Sequence, residues 1–388
     1  MMHRSSLPGV STMTMQVAAA PRADRASHPG LAELDELPTG GPDQVPLRSL
    51  TLDLTHTRQF KCPGCIERWA RARSRFTTLS SETVRRLIAQ FSQQGGAELL
   101  LYGGEPTTHP QFGSLMEFAA QQVRCVRLVT NGALLYRPTV AEAIARAGDQ
   151  AQVSVRVSLN AGTPQTHDRL HGVRGFFPRI VQGMKQLSQL NPQVELGVSF
   201  LVEEANAAEL QQAFQIAEEV GAQYLWVRPR TGLHGIGLVP LTKPTRLRLW
   251  SRIVALGPAG SLGRPRLRVD RWFEAYLQAG TQPDTTKPYA CCYYCAASRL
   301  VIAPPELGVA WACAYWRGHH RFHVADLALA SFGSAQFEER RRAAIYRVRP
   351  GQDCAEVICN RHEGNLAIQQ HLQRLQQRPA QAASPGQT

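Results

Sequence analysis

The stretch Leu54–Ile66 reads LTHTRQFKCPGCI, and the rest of the chain takes its meaning from it. It follows an alternating apolar run, Leu50, Leu52 and Leu54, the period-two pattern of a strand. Two thiols sit in it, Cys62 and Cys65, spaced C-x-x-C. Thiolates on a short loop are soft ligands suited to an iron–sulfur cluster or to zinc. Two thiols alone are an incomplete set. Arg58, upstream of both, cannot complete it, because a guanidinium stays protonated and has no acceptor. His56 and His109 are further nitrogen donors close in sequence.

Outward from that loop, helical patterns alternate with short apolar runs. Ser80 or Ser81 offers an N-cap, and Val84, Leu87, Ile88 and Phe91 then share one helix face that ends at Gly95-Gly96. Leu99–Tyr102 reads as a buried strand closing in Gly103-Gly104-Glu105-Pro106. A helix over 112–123 follows, then a strand at Val126–Val129 ending in Thr130-Asn131-Gly132. The pattern continues with helix 139–147, strand 153–159, helix 177–190, strand 194–202, helix 207–220 and strand 224–227. Six strands in series with helices imply βαβ units and a parallel sheet, because parallel strands need a crossover connection. This α/β series fits a doubly wound sheet or an open barrel, and periodicity does not choose between them. In both, ligands bind at the carboxyl ends of the strands. The polar signals collect there: Cys62 and Cys65, Gly103 to Glu105, Asn131, Ser158 and Asn160, Arg228 and Arg230. Beyond residue 229 the pattern weakens, with helices expected over 247–256 and 272–277.

The charge balance is basic, 43 Lys+Arg against 30 Asp+Glu, which favours nucleic acid, phosphorylated metabolites or an acidic peptide as partners. The arginines are spread without a basic block, the pattern of a solvated surface. No stretch approaches the roughly 18 apolar residues a membrane span needs. The N-terminal segment lacks an apolar signal core, so nine cysteines in so long a chain point to reduced, metal-binding thiols and a cytoplasmic protein.

Taken as a set, C-x-x-C after the first strand, Gly103-Gly104-Glu105-Pro106 after the second and Asn131 after the third resemble the radical S-adenosylmethionine (SAM) superfamily. Ser158-Leu159-Asn160 with His167 downstream resembles that family's run after strand four, although Asn160 stands where Asp is usual; Asn206 and Arg228 are candidates of lower rank. The resemblance implies a partial (β/α)6 TIM-like barrel. It implies S-adenosyl-L-methionine as cofactor, with Gly103, Gly104 and Glu105 at its amino group and Asn131, Ser158 and Asn160 beside it. It also implies a 4Fe-4S cluster on Cys62, Cys65 and a third cysteine whose place is taken by Arg58. In the family, that cluster reduces SAM to a 5′-deoxyadenosyl radical with electrons from ferredoxin or flavodoxin.

The C-terminal cysteines resemble the SPASM/twitch extension of such enzymes. They are Cys291, Cys292, Cys295, Cys313, Cys354 and Cys359. One auxiliary 4Fe-4S cluster is implied on Cys295, Cys313, Cys354 and Cys359, with Cys291 or Cys292 able to displace one of them. A structural zinc is the physical competitor. Cys125 reads as a core thiol, and His167 and His171 as structural. The expected organisation is a leader over 1–45, a barrel over 46–235, a connecting helical segment over 236–288, a cysteine-rich α+β extension over 289–372 and a flexible tail over 373–388. Expected substrates are a peptide or a small-molecule natural product. The expected function is that of a radical SAM enzyme, or a variant of one, modifying such a substrate; Arg58 supports as the alternative a non-catalytic homologue acting as a binding or partner subunit, and the basic charge, more weakly, an RNA-modifying enzyme.

Overall fold

A computed structural model describes residues 47–63, 65, 78–232, 235–257, 264–293, 300–303, 308–359 and 361–377. Strand β1 (Ser49–Thr55) is buried at all seven positions. Its leucines pack under the helices, each fully buried side chain contributing roughly 1.5–3 kcal/mol. Its alternate residues, Thr51 and Asp53 among them, are buried too, on the opposite face. The chain then alternates: α1 (Ser81–Gln93), β2 (Glu98–Gly103), α2 (Phe112–Gln122), β3 (Cys125–Thr130), α3 (Pro138–Gly148), β4 (Gln152–Ser158), α4 (Pro164–His171) and α5 (Phe177–Leu190). It continues with β5 (Glu195–Val202), α6 (Leu210–Glu219), β6 (Tyr224–Pro229), α7 (Lys243–Leu256), β7 (Arg266–Val269) and α8 (Arg271–Ala279).

The Ser80 hydroxyl accepts from Thr83 N and caps α1, while Gly95 at φ +81° turns the chain out of it. Strands β1 to β7 pair in chain order, each parallel to the next. The sheet is therefore a seven-stranded parallel α/β array, one strand more than the six read from the sequence. The extra strand, β7, is only four residues long and carries three arginine and valine positions of mixed burial, too short to show a period.

The C-terminal part joins the same sheet. Strand β8 (Leu300–Ala303) pairs parallel with the free edge of β1, Leu50 opposite Leu300, and β9 (Val309–Trp311) and β10 (His323–Asp326) add antiparallel strands beyond it. Helices α9 (Ala335–Arg347), α10 (Pro350–Asp353) and α11 (His362–Gln377) follow. Asp53, fully buried near the end of β1, accepts a hydrogen bond from Arg317 Nη2 on Oδ1 (2.8 Å) and holds Arg317 Nε at ion-pair distance, 2.7 Å from Oδ2. Arg317 also stands 5.0 Å over the ring of Tyr102. The C-terminal part is thus tied to the carboxyl ends of β1 and β2 by a buried ion pair. Among the described residues no helix is long and apolar enough to cross a membrane.

Candidate functional site

The strand ends carry a continuous hydrogen-bonded framework. Gly104 N donates to Thr55 O at 2.7 Å and Glu105 N to Thr57 O at 2.9 Å, so the turn after β2 is zipped to the loop after β1. Both glycines serve that contact. Gly103 has φ +116°, and a Cβ there would lie 2.6 Å from Thr55 O; one on Gly104 would lie 2.6 Å from His56 O.

Glu105 is fully buried. Its Oε1 accepts from Thr107 N (3.2 Å), Thr107 Oγ1 (2.6 Å) and Thr130 Oγ1 (2.6 Å); its Oε2 accepts from Asn131 N (2.7 Å). Burial pushes its pKa up against those four bonds. The carboxylate is held rigidly, and Oε2 keeps acceptor capacity for a cationic group.

Asn131 and Asn160, also expected beside SAM, are engaged within the protein. Asn131 Oδ1 accepts from Ala133 N (2.8 Å), and its Nδ2 donates to Gln59 Oε1 (3.1 Å), pinning the cysteine loop. Asn160 is left-handed at φ +56°, and its Oδ1 accepts from Leu201 N. Asn206, fully buried, donates to the carbonyls of Asn160 and Leu201. This pair braces the ends of β4 and β5. Ser158 lies half-buried opposite Ser199. Arg230 pairs with Glu203.

The cysteine loop is more occupied than its sequence implies. Arg58 Nη1 donates to Cys65 Sγ at 2.7 Å. Cys62 Sγ lies 3.1 Å from Nδ1 of His171, whose Nε2 is 3.4 Å from Leu159 O. A carbonyl can only accept, so Nε2 carries the proton and Nδ1 accepts the Cys62 thiol proton. Burial, with His167 next, lowers the His171 pKa to about 4 and keeps the ring neutral. Lys61 N donates to His171 O, Phe60 packs against both histidines, and the two imidazoles lie 4.4 Å apart. His171 therefore belongs to this loop, a role the helical pattern of α4 gave no sign of. His109 is spent on Leu79 O (2.9 Å) and Gln111 N (3.1 Å). Among the described residues His56 has no hydrogen-bond partner on either ring nitrogen, and burial, Arg317 and Arg58 together lower its pKa to about 4.

A radical-generating 4Fe-4S cluster needs three thiolates on this loop. The donors here are two thiols, and the side chain at the third place is a cation bonded to one of them. The residues do not fit that group.

The C-terminal thiols differ. Cys292, Cys313, Cys354 and Cys359 share one electrostatic neighbourhood. Burial first, then Cys313, pushes the Cys354 thiol up to about 12, and burial, then Cys292, Cys313 and Cys354, holds Cys359 well above its usual value. Trp316 Nε1 lies 3.4 Å from Cys354 Sγ, and Arg361 N lies 3.4 Å from Cys359 Sγ. Cys291 instead packs against Ile345. Cys295 lies outside the described residues. Among the described residues no three His, Cys, Asp or Glu side chains are grouped to hold one metal ion as they stand. Thiols on different irons of a cluster need not converge on a point, and four half-buried thiols that repel one another when ionised are a donor set that a cluster or zinc suits. Cys125 is a buried core thiol on β3.

Comparison with known proteins agrees with this architecture. Residues 59–217 match the family model of the radical SAM superfamily. The chain is 29% identical over 144 residues to the AdoMet-dependent heme synthase of Methanosarcina barkeri, covering 37% of this chain and 40% of that one. It is 29% identical over 199 residues to the PqqA peptide cyclase of Gluconobacter oxydans, covering 50% and 52%. The match thus spans about half or less of the length of these two relatives. Among solved structures, SuiB of Streptococcus suis bound to S-adenosylmethionine superposes with a TM-score of 0.58 at 12% identity, over 83% of this chain and 71% of that one. SuiB bound to its precursor peptide SuiA gives 0.57 at 13%, over 91% and 83%. Residues 59–217 are thus similar to the radical SAM superfamily, the relatives include a peptide cyclase, and the solved structures show the partial TIM barrel as the fold.

Proposed function

We propose that this chain engages a peptide at the strand carboxyl ends of a radical SAM-type barrel, and that in its natural form it binds without cleaving SAM. The observation that carries this reading is the 2.7 Å bond from Arg58 to Cys65, which sets a cation where a third thiolate is required. The peptide-modifying relatives support the ligand class. The retained Glu105 cradle, with an open acceptor on Oε2, supports binding of the SAM amino group there, with Gly103 and Gly104 setting the turn. It also favours a second reading, an active radical SAM enzyme in which another donor replaces residue 58.

One auxiliary 4Fe-4S cluster in a SPASM/twitch-like extension belongs to both readings. Cys313, Cys354 and Cys359 would hold it, with Cys292 beside them as fourth donor, or Cys295. A bound cluster would supply redox chemistry or a rigid staple, and zinc only the staple.

The test is anaerobic reconstitution of the natural chain and an Arg58→Cys variant with iron and sulfide, followed by iron counting and a 5′-deoxyadenosine assay with dithionite. The first reading expects about four irons and no cleavage from the natural chain, and about eight irons from the variant. About eight irons and 5′-deoxyadenosine from the natural chain would establish the second reading instead.

A further inference from the structure

The face of the sheet opposite the helices carries charges that the cysteine chemistry does not use. On β4 and β6 the helix-facing residues are apolar and buried: Val153, Val155 and Val157, Leu225 and Val227. Side chains alternate across a strand, so Arg156 on β4 and Trp226 and Arg228 on β6 share the inner face. The geometry agrees. The Arg156 guanidinium carbon lies 5.1 Å, and that of Arg228 4.2 Å, from the Trp226 ring centroid. Between them runs β5, where Gly197 stands opposite both Arg156 and Tyr224; a Cβ on Gly197 would collide with the Tyr224 ring. The glycine thus makes room for the buried Tyr224 ring, which lies over β5 between the two strands.

The carboxylates on this face are already taken. Glu98 pairs with Arg127 at 3.1 Å. Glu195 pairs with Arg268 at 3.5 Å and accepts from Ser154 at 2.7 Å. Asp270 accepts the Trp226 indole N–H at 3.1 Å. Arg156 and Arg228 have no ion pair with any described residue, and the Arg228 Nε is buried without a hydrogen-bond partner. Two like charges that face one indole and lack a counter-charge are costly unless an anion joins them. Burial, and then Arg228, lowers the Arg156 pKa to about 10, as expected of a guanidinium lacking its counter-ion. Both side chains are half-buried, so the site is open to a ligand.

We propose that Arg156 and Arg228 form a carboxylate-binding site on the inner face of the barrel, which takes a Glu or Asp side chain of a peptide, with Trp226 as the shelf for its methylenes. A planar guanidinium fork matches a carboxylate in bidentate geometry, and the aromatic ring favours an apolar stem. The site rests on the peptide reading above and names the kind of peptide: an acidic one, which suits the chain's excess of 43 Lys+Arg over 30 Asp+Glu.

The test is calorimetric titration of the full chain with end-capped hexapeptides, Ala-Ala-Glu-Ala-Ala-Ala against its Gln counterpart, and with glutarate and inorganic phosphate. The natural chain should bind the Glu peptide about tenfold more tightly, a preference that Arg156→Met and Arg228→Met each reduce below about twofold. Arg156→Lys should keep part of it. The melting temperature of Arg156→Met should hold or rise, since the change removes an uncompensated charge; a structural arginine would show a fall instead. Equal binding of the two peptides by the natural chain, or a preference that survives both Met variants, would overturn the site while leaving peptide binding intact. Glutarate bound through both arginines with no peptide bound would keep the anion site and overturn the peptide reading. Tighter binding of phosphate than of glutarate, or displacement of the Glu peptide by SAM, would overturn the assignment to a substrate carboxylate.

Discussion

The two cysteine regions of this molecule use the same atoms to opposite ends. In the loop after β1 each thiol has a partner of another kind: Cys65 has Arg58 and Cys62 has His171. In the C-terminal part the thiols crowd one another, and Cys354 and Cys359 are held protonated by burial and by neighbouring sulfurs. A thiol bonded to a guanidinium or an imidazole is satisfied by the protein. A group of thiols that oppose one another's ionisation, and take only weak N–H bonds from Trp316 and Arg361, suits a cation that can replace the protons. The difference teaches that a cysteine motif marks a metal site only when its neighbours leave the sulfurs available.

The sharpest way to break this comparison is to remove thiols from the C-terminal side. A Cys354→Ala/Cys359→Ala variant should lose the metal of that region altogether, from about four irons per chain to near none, and its melting temperature should no longer respond to iron and sulfide. A variant that kept its iron would place the metal in the loop after β1 and reverse the comparison.

Next in size is the joint between the two regions. Asp53→Ala leaves Arg317 buried without its counter-ion and should cost about 3–5 kcal/mol in denaturant unfolding. An Asp53→Leu/Arg317→Met double variant should cost much less than the sum of the single changes, because both charges go together. A loss under about 1 kcal/mol for Asp53→Ala would mean the ion pair does not hold the C-terminal part on the barrel.

The smallest effect concerns His56, where the two regions meet electrostatically. Burial first, then Arg317 and Arg58, lowers its pKa from 6.5 to about 4. The unfolded chain therefore takes up this proton first as pH falls. The contribution is fully present above pH 6.5 and is lost as pH drops to about 4. After discounting for partial exposure it amounts to about 2 kcal/mol. His56→Gln should flatten the stability–pH curve over that window, measured by unfolding at several pH values. An unchanged slope would show that neither burial nor the two arginines lower the pKa of this ring.

Much of this was legible in the chain. The leucine alternation of β1, the Ser80 cap and the four-residue turn at Gly103 mark strand, helix and strand end by local rules, and the structure keeps them. The turn that carries Glu105 was readable because its motif is contiguous. Strand β7 was not, since four residues carry no period, and its place depends on pairing with β6. The roles of Asn131 and Asn160 were hidden for another reason: an amide side chain shows its partner only once Gln59 or Leu201 has been brought beside it.

By itself, the sequence determined the alternation of the first six strands with helices, the side of the sheet where polar residues gather, and the presence of Arg58 upstream of Cys62 and Cys65. Those are properties of neighbours along the chain. The tertiary structure alone decided that Cys62 meets a histidine 109 residues away, that Asp53 meets an arginine 264 residues away, and that Arg156 and Arg228 share one indole with no carboxylate between them. The physical reason is that burial and counter-charge set what an ionisable group can do, and both are supplied by residues distant in sequence.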